Sequence, residues 1–164
     1  MSHLISAQLI TRHQGWLTYR SIYLPSMGYS LSSTSFSRRA LAKIQSSPTR
    51  ALLSAMGYNR NMPLVVVFGP ASIGGIGLRH LYADQGCQKA SAILQHIRQH
   101  SRLGKMMWTL IQWTQVTAGV GFAILAKPWR SPPHTVGQWL SSLCIFLTDS
   151  ECTIEIANTY TVCT

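Results

Sequence analysis

Acidic residues are scarce in this chain of 164 residues. Aspartate and glutamate number four, against 14 lysine and arginine residues. The first acid is Asp84, so residues 1–83 carry eight basic side chains and no acidic one. Because paired carboxylates are missing upstream of Asp149 and Glu151, catalysis by a carboxylate pair is not expected there. The excess positive charge favours a polyanion such as nucleic acid, or an anionic membrane surface.

Metal-binding and nucleotide-binding motifs are lacking as well. The four cysteines lie far apart, at positions 87, 144, 152 and 163, with no CxxC pair that would indicate a zinc ribbon. His96 and His100 have a metal-compatible i, i+4 spacing but no evident third ligand, so we expect them to form a polar surface with Lys89. Residues 69–75 have the glycine spacing of a phosphate loop without its lysine. We therefore expect no metal, no cofactor and no active site.

Targeting signals are equally sparse. No apolar segment with a small-residue cleavage site follows Met1, which argues against secretion and against a disulfide framework. An intracellular location, nuclear or cytoplasmic, is favoured.

Hydrophobic periodicity predicts a mainly α-helical fold. The expected class is a bundle of about five helices with a glycine-rich central turn and a short extended C-terminal tail. Gly15 is a candidate break, Pro25 a stop before a polar loop at 26–35, and Pro48 a kink or split. Helices are expected at 3–24, 36–56, 80–100, 106–126 and 138–147, with a short strand at 153–156.

Composition also suggests a division into domains. Residues 1–127 are predicted to form a basic helical domain, and residues 128–134 a proline-rich linker. A C-terminal helix and tail follow at 135–164. An aromatic stripe of Trp16, Tyr19 and Tyr23 is expected to lie in the core of the first domain.

The segment 36–56 has the clearest amphipathic pattern. Arg39, Lys43 and Arg50 fall within about 40° of one another on a helix. The opposite face, expected in the core, carries Leu41, Ile44, Leu52 and Met56. The basic face is either solvated or contacts phosphates, and both interpretations stay open because no acid lies nearby to pair with it. The full set of candidate nucleic-acid-binding residues is Arg38, Arg39, Lys43, Arg50, Arg60, Asn61, Arg79 and His80.

The central stretch, residues 59–82, contains three glycines within four positions. Glycine is placed where the backbone needs a positive φ or a close approach, so Gly74, Gly75 and Gly77 predict a shaped turn between helical blocks. The turn either connects the helices or lets a backbone amide approach a phosphate.

One long uncharged segment, residues 106–126, stands out. It is long enough to cross a bilayer, which would make this a small basic membrane-associated protein with a single span. Gln112 and Gln115 lie in its middle, where a lipid-facing amide is costly. We therefore favour a buried helix of the bundle, and a membrane is not the expected partner.

Several motifs together resemble one known family. They are YRSIYLP at 19–25 with Tyr29, Ile44-Gln45, GYNRNMP at 57–63, VFGP at 67–70, and GGIGLRHLY at 74–82 with Gln85-Gly86. Pieces around positions 94–98, 113–119 and 139–140 continue the resemblance, which covers about residues 5–150. These motifs and their order resemble those of reverse transcriptases from non-LTR-type retrotransposon polyproteins. The matching part of that family is the helical thumb and connection, which lies C-terminal to the palm.

This resemblance implies a helical module that helps to hold a template-primer duplex of RNA or DNA. A catalytic reverse transcriptase is the protein partner that it suggests. The Tyr/Phe-x-Asp-Asp motif and the other palm carboxylates of the family are missing from this sequence. Since two-metal nucleotidyl transfer needs acidic ligands, we expect no polymerase activity from this chain alone.

Overall fold

The computed structural model describes residues 11–129, 133 and 136–156. This part of the chain is mainly helical, and no strand is found within it, which confirms the predicted fold class. By packing, the chain divides into two compact units, residues 1–88 and 89–164. The division at the proline-rich linker stays a prediction.

The first unit begins with helix α1, Arg12–Thr18, and continues through a π-helical turn, Tyr19–Tyr23, into α2, Leu24–Leu31. The expectations that Gly15 breaks the helix and that Pro25 stops it are wrong. Pro25 is tolerated because it stands in the first turn of α2, directly after the π turn. The predicted loop at 26–35 is therefore mostly helix, and residues 3–10 of the predicted first helix lie outside the described part.

Gly15 has a packing role instead. It is buried, and a Cβ there would lie 3.7 Å from the Cβ of Ala55. Its small size lets α1 lie close to helix α3, Arg38–Ala55. Helix α3 confirms the amphipathic segment predicted at 36–56.

Two details of α3 correct the sequence expectation. Pro48 does not split the helix, which runs for 18 residues through it. Its missing N–H costs one hydrogen bond, while Leu41, Leu52 and Leu53 are buried along the helix and hold it in place. Ile44, expected in the core, is 41% exposed.

The rest of the first unit comprises a short helix α4, Leu64–Phe68, a 3₁₀ turn, Ala71–Ile73, and the start of α5, Leu81–Arg98. Two groups of buried residues form its core. The larger contains Tyr19, Tyr23, Leu52, Leu53, Met56, Val67 and Leu78. The smaller contains Leu31, Leu41 and Leu81. The aromatic stripe is thus confirmed as core at Tyr19 and Tyr23.

The second unit contains the rest of α5, then α6, Arg102–Thr117, and α7, Gln138–Asp149. The last helix predicted from the sequence is confirmed. Residues 153–156 do not form the expected strand: the Ile154 N–H donates to the Leu125 carbonyl at 2.9 Å, but no ladder is found in the described residues. The buried hydrophobic residues of this unit are Ile93, Ile97, Ile111, Ile124, Leu125, Val136, Leu140, Leu143, Cys144, Phe146, Leu147 and Ile154.

Helix α6 differs from both predictions for residues 106–126, a membrane span and a buried helix. It ends at Thr117, and none of the described helices has the length and apolarity that crossing a bilayer requires. It is also not a buried helix, because Trp113 is 66% exposed and Val116 is 75% exposed. The exposed apolar row of α6 consists of Leu103, Met106, Leu110, Trp113 and Val116.

Lys89 on α5 corrects another expectation. The helical pattern predicts Lys89 on a polar surface, but its side chain is only 1% exposed. Its ammonium donates to the Ser142 hydroxyl at 2.6 Å and lies 5.3 Å from the centre of the Trp139 ring. Burial lowers the pKa of Lys89 to about 8, because desolvation disfavours the charged form.

Candidate nucleic-acid interface

The basic face of α3 is the starting point of the site. Ser37 caps the helix, its hydroxyl accepting a hydrogen bond from the Ala40 N–H at 3.2 Å. Arg39, Lys43 and Arg50 are all exposed. Within the described residues, none of these three cations has a carboxylate at ion-pair distance. Their charges are therefore available to an external anion.

A pocket of about 380 Å³ adjoins this face. It lies wholly within the first unit and is walled on one side by α3. Four of the candidate residues, Arg50, Arg60, Asn61 and His80, line it together. The other lining residues are Ala42, Gln45, Ser46, Thr49, Leu53, Met62, Leu64 and Phe68.

Arg60 and Asn61 reach the pocket because the chain turns sharply after α3. Gly57 has a φ of 78°, and the next N–H, of Tyr58, donates to the Leu53 carbonyl at 2.8 Å. This is a common way of closing a helix C-terminus with glycine in the left-handed region. The Arg60 guanidinium then donates to the Ser54 hydroxyl at 3.3 Å, which holds a positive charge beside the last turn of α3.

His80 is positioned by a buried glutamine. The Gln45 side chain donates to the Arg79 carbonyl at 2.6 Å and accepts from the Leu81 N–H at 3.1 Å. The Arg79 N–H donates to the Tyr19 hydroxyl at 2.8 Å. Since both backbone neighbours of His80 are held in this way, its ring is fixed at the pocket, where it contacts Phe68 edge-on at 4.9 Å between ring centres.

The electrostatics of His80 differ from those of the arginines. Burial lowers the pKa of His80, and the nearby Arg38 cation lowers it further. The lowered pKa favours the neutral imidazole, which can both donate and accept a hydrogen bond in the pocket.

Arg38 and Arg79 lie at the edges of the candidate set. The Arg38 guanidinium lies 5.8 Å from the centre of the Tyr82 ring. The exposed Arg79 side chain is 3.9 Å from the Asp84 carboxylate. Burial raises the pKa of Asp84, an effect that the Arg79 charge opposes. Arg79 thus has a partner, whereas Arg39, Lys43 and Arg50 keep their full attraction for anions.

The glycine turn packs against the chain itself. Gly74 and Gly77 have φ values of 87° and 76°, and a Cβ on Gly75 would collide with the Gly69 carbonyl oxygen. The N–H groups of the three glycines donate to the carbonyls of Ala71, Pro70 and Gly69, in that order. This geometry agrees with a shaped connection between helices, and the three amides are already used inside the turn.

The histidine pair His96 and His100 has the i, i+4 spacing of a candidate metal site. The His96 ring lies 3.2 Å from the Ser101 hydroxyl. Across the described ranges, no group of three or more histidine, cysteine, aspartate or glutamate residues could hold a metal ion.

In comparisons with protein-family models, curated proteins and solved structures, the chain matches none of them. The similarity to retroelement reverse transcriptases stays an interpretation of the sequence motifs.

Sequence reasoning missed most of the pocket wall. Gln45, Ser46 and Thr49 are uncharged residues within a basic helix, and Phe68 belongs to an apolar run that looks like core. The i, i+1, i+4 spacing of 45, 46 and 49 does place them on one face of α3. That signal could have marked a second, uncharged polar face beside the basic one.

Proposed function

We propose that this chain is a non-catalytic helical module that binds nucleic acid through its phosphates, without regard to sequence. The observation that carries the proposal is the unpaired basic face of α3, formed by Arg39, Lys43 and Arg50 beside a pocket that also holds Arg60. Phosphate contacts of this kind position a nucleic acid and supply most of the sequence-independent affinity.

The charge distribution of the first unit supports a polyanion. Residues 1–88 contain eight basic residues and one acid, Asp84, and that acid lies next to Arg79. A surface with so few carboxylates attracts a phosphate backbone over a distance of about 8 Å at physiological salt.

The resemblance to a reverse transcriptase thumb adds a biological setting to the proposal. In that setting the chain is a remnant of a retroelement polymerase that contacts the template-primer duplex, while a separate reverse transcriptase supplies the catalytic carboxylates. A purified chain should then incorporate no nucleotide on a primed template with Mg²⁺ or Mn²⁺. Incorporation above background by a clean preparation would contradict this.

The main experiment reverses the charge of the α3 face. We expect the triple variant Arg39→Glu, Lys43→Glu and Arg50→Glu to bind a duplex more weakly than the parent. The slope of log affinity against log salt should flatten by about two to three units, since each lost phosphate contact contributes about 0.9.

A matched control carries the same change of net charge elsewhere. Arg98, Arg102 and Lys105 are all exposed and belong to the second unit. Their reversal to glutamate should leave the salt slope closer to that of the parent. If both triple variants weaken binding equally, net charge alone governs affinity and the α3 face is not the interface.

A second candidate function is binding to an anionic membrane surface. The exposed apolar row of α6 favours it, because Trp113 is a residue type common at bilayer interfaces and exposed Arg102 and Lys105 lie on the same helix. Flotation with phosphatidylserine vesicles tests it. Leu110→Ser with Trp113→Ser should abolish flotation, whereas Gln112→Ser, which changes a polar residue of α6, should not.

A further inference from the structure

The pocket beside α3 combines three kinds of lining that phosphate binding alone does not need. Leu53, Met62, Leu64 and Phe68 contribute apolar surface, and Gln45, Ser46, Thr49 and Asn61 contribute uncharged polar groups. Arg50 and Arg60 contribute positive charge. A volume of about 380 Å³ falls in the range of small-molecule sites, about 300–1,000 Å³.

These three linings correspond to three features of a nucleotide: the faces of its base, the edge of its base and its phosphate. A base has apolar faces that pack against aromatic and aliphatic side chains and a polar edge that forms hydrogen bonds. Its phosphate pairs with arginine. Because Phe68 and His80 line the same pocket as the two arginines, the groups that would contact base and phosphate lie in one place.

Two side chains of the pocket, Asn61 and His80, have polar atoms available to a ligand. The Asn61 side-chain amide has no hydrogen-bond partner among the described residues, where only the backbone N–H of Asn61 is bonded, to Asn59. The His80 ring packs against Phe68 in a T-shaped arrangement, and its lowered pKa favours the neutral form. Such groups can pair with a base edge without first breaking a contact within the protein.

A base inside a duplex cannot enter a pocket of this kind, because both of its faces are stacked and its edge is paired. We propose that the pocket binds one unpaired nucleotide, with its base against the apolar lining and its phosphate at Arg50 and Arg60. This inference rests on the proposed function, since the strand that carries the nucleotide is held by the adjoining basic face. It adds a preference for single-stranded or frayed ends that phosphate contacts alone do not give.

Filling the pocket tests the proposal. Ser46 lines it from α3, is exposed, and donates only to the Lys43 carbonyl of its own helix among the described residues. Ser46→Phe should occupy the space of the base while keeping every charge. We expect affinity for a ten-nucleotide single strand to fall about tenfold, the size expected for one lost base contact, while affinity for a blunt duplex at the same salt stays constant.

Ser47 supplies the matched control. It is the next residue of α3, is also exposed, and does not line the pocket, so Ser47→Phe should change neither affinity. Asn61→Ala is a second test that adds no bulk, and it should weaken single-strand binding more than duplex binding. Thermal unfolding of each variant checks that the fold is retained.

Competition separates a nucleotide from a bare anion. A nucleoside monophosphate should displace the single strand from the parent chain more effectively than the same concentration of inorganic phosphate, and should lose this advantage in Ser46→Phe. If Ser46→Phe and Asn61→Ala bind the single strand as tightly as Ser47→Phe, the pocket holds no nucleotide. The triple charge reversal on α3 would still lower duplex affinity in that case, so the two proposals fail separately.

Discussion

The two units of this protein differ in whether a basic side chain is buried in the core. In residues 11–88 all eight lysine and arginine side chains are exposed, and uncharged Gln45, Gln85 and Tyr19 make the interior polar contacts. In the second unit Lys89 is buried, with its ammonium on Ser142 and near Trp139. Burying an amide or hydroxyl that keeps its hydrogen bonds costs much less than burying a charge.

This difference has a functional consequence. Because the first unit builds its interior from neutral polar groups, its positive charges all stay at the surface, where a polyanion can reach them. The second unit buries Lys89, and it exposes an apolar row on α6 beside its other basic side chains. The proposed function therefore assigns the nucleic-acid interface to the first unit.

The largest expected effect tests the buried lysine. Lys89→Ala removes a buried stem and leaves a cavity, so the free energy of unfolding should fall by about 2–4 kcal/mol, as for other long core side chains. Lys43→Ala, at an exposed position on α3, should change it by less than about 0.5 kcal/mol. Urea denaturation measures the free energy of unfolding of both variants. Equal losses would mean that Lys89 contributes no more to stability than an exposed lysine of the first unit.

The pH dependence of the free energy of unfolding is a second test of whether Lys89 is buried. Burial lowers the pKa of folded Lys89 to about 8 from its usual 10.5, so between these values the unfolded chain binds more protons than the folded one. Stability contributed by this group therefore rises with pH from about 8 to 10.5. Relative to Lys89→Met, the parent should gain stability over that window.

The other titratable groups are present in both chains, so their contributions to the pH dependence cancel in the difference. Unfolding curves of the parent and of Lys89→Met at about pH 7.5, 9 and 10 would measure this difference. A constant difference between parent and Lys89→Met would mean that the lysine is solvated in the folded protein.

A pair of tyrosines tests how well the first unit satisfies its neutral polar groups. Tyr19 and Tyr23 stack in the core, with ring centres 5.6 Å apart, but only the Tyr19 hydroxyl is bonded, to the Arg79 N–H. The Tyr23 hydroxyl is buried with no partner among the described residues, and burial raises its pKa to about 12.

Removing the two hydroxyls should therefore have opposite effects. Tyr19→Phe should lower the free energy of unfolding by about 1 kcal/mol because the Arg79 N–H loses its acceptor, whereas Tyr23→Phe should be neutral or stabilising by about 1 kcal/mol. Thermal unfolding of the two variants under identical conditions decides the sign. Destabilisation by Tyr23→Phe equal to that by Tyr19→Phe would show that the Tyr23 hydroxyl has a bound partner.

The smallest effect is expected on α6. Trp113 is 66% exposed, so Trp113→Ser should change the free energy of unfolding by less than about 0.5 kcal/mol. Its neighbour on the buried side, Ile111, is 6% exposed, and Ile111→Ala should cost about 2–4 kcal/mol. If Trp113→Ser and Ile111→Ala lower the free energy of unfolding by similar amounts, the exposed apolar row of α6 is covered in solution.

The helical fold and the common face of the three α3 cations could be predicted from the sequence. Apolar residues recurring every 3.6 positions predict α3, the α5 helix and α7, and they predict the burial of Tyr19 and Tyr23, because this periodicity is a local property of the chain. The glycine turn was also predictable, since Gly74 and Gly77 take positive φ values that other residues disfavour. The common face of Arg39, Lys43 and Arg50 follows from helix geometry alone.

Which helix faces are buried, and which distant side chains come into contact, depends on the tertiary structure. Lys89 is buried because α7 brings Ser142 and Trp139 to it, and no spacing within α5 encodes that contact. The pocket unites Ser46 with Asn61 and His80, residues separated by up to 34 positions. Such contacts depend on the packing of distant helices, so the cavity between Arg50 and Arg60 could not be read from a pattern of neighbours along the chain.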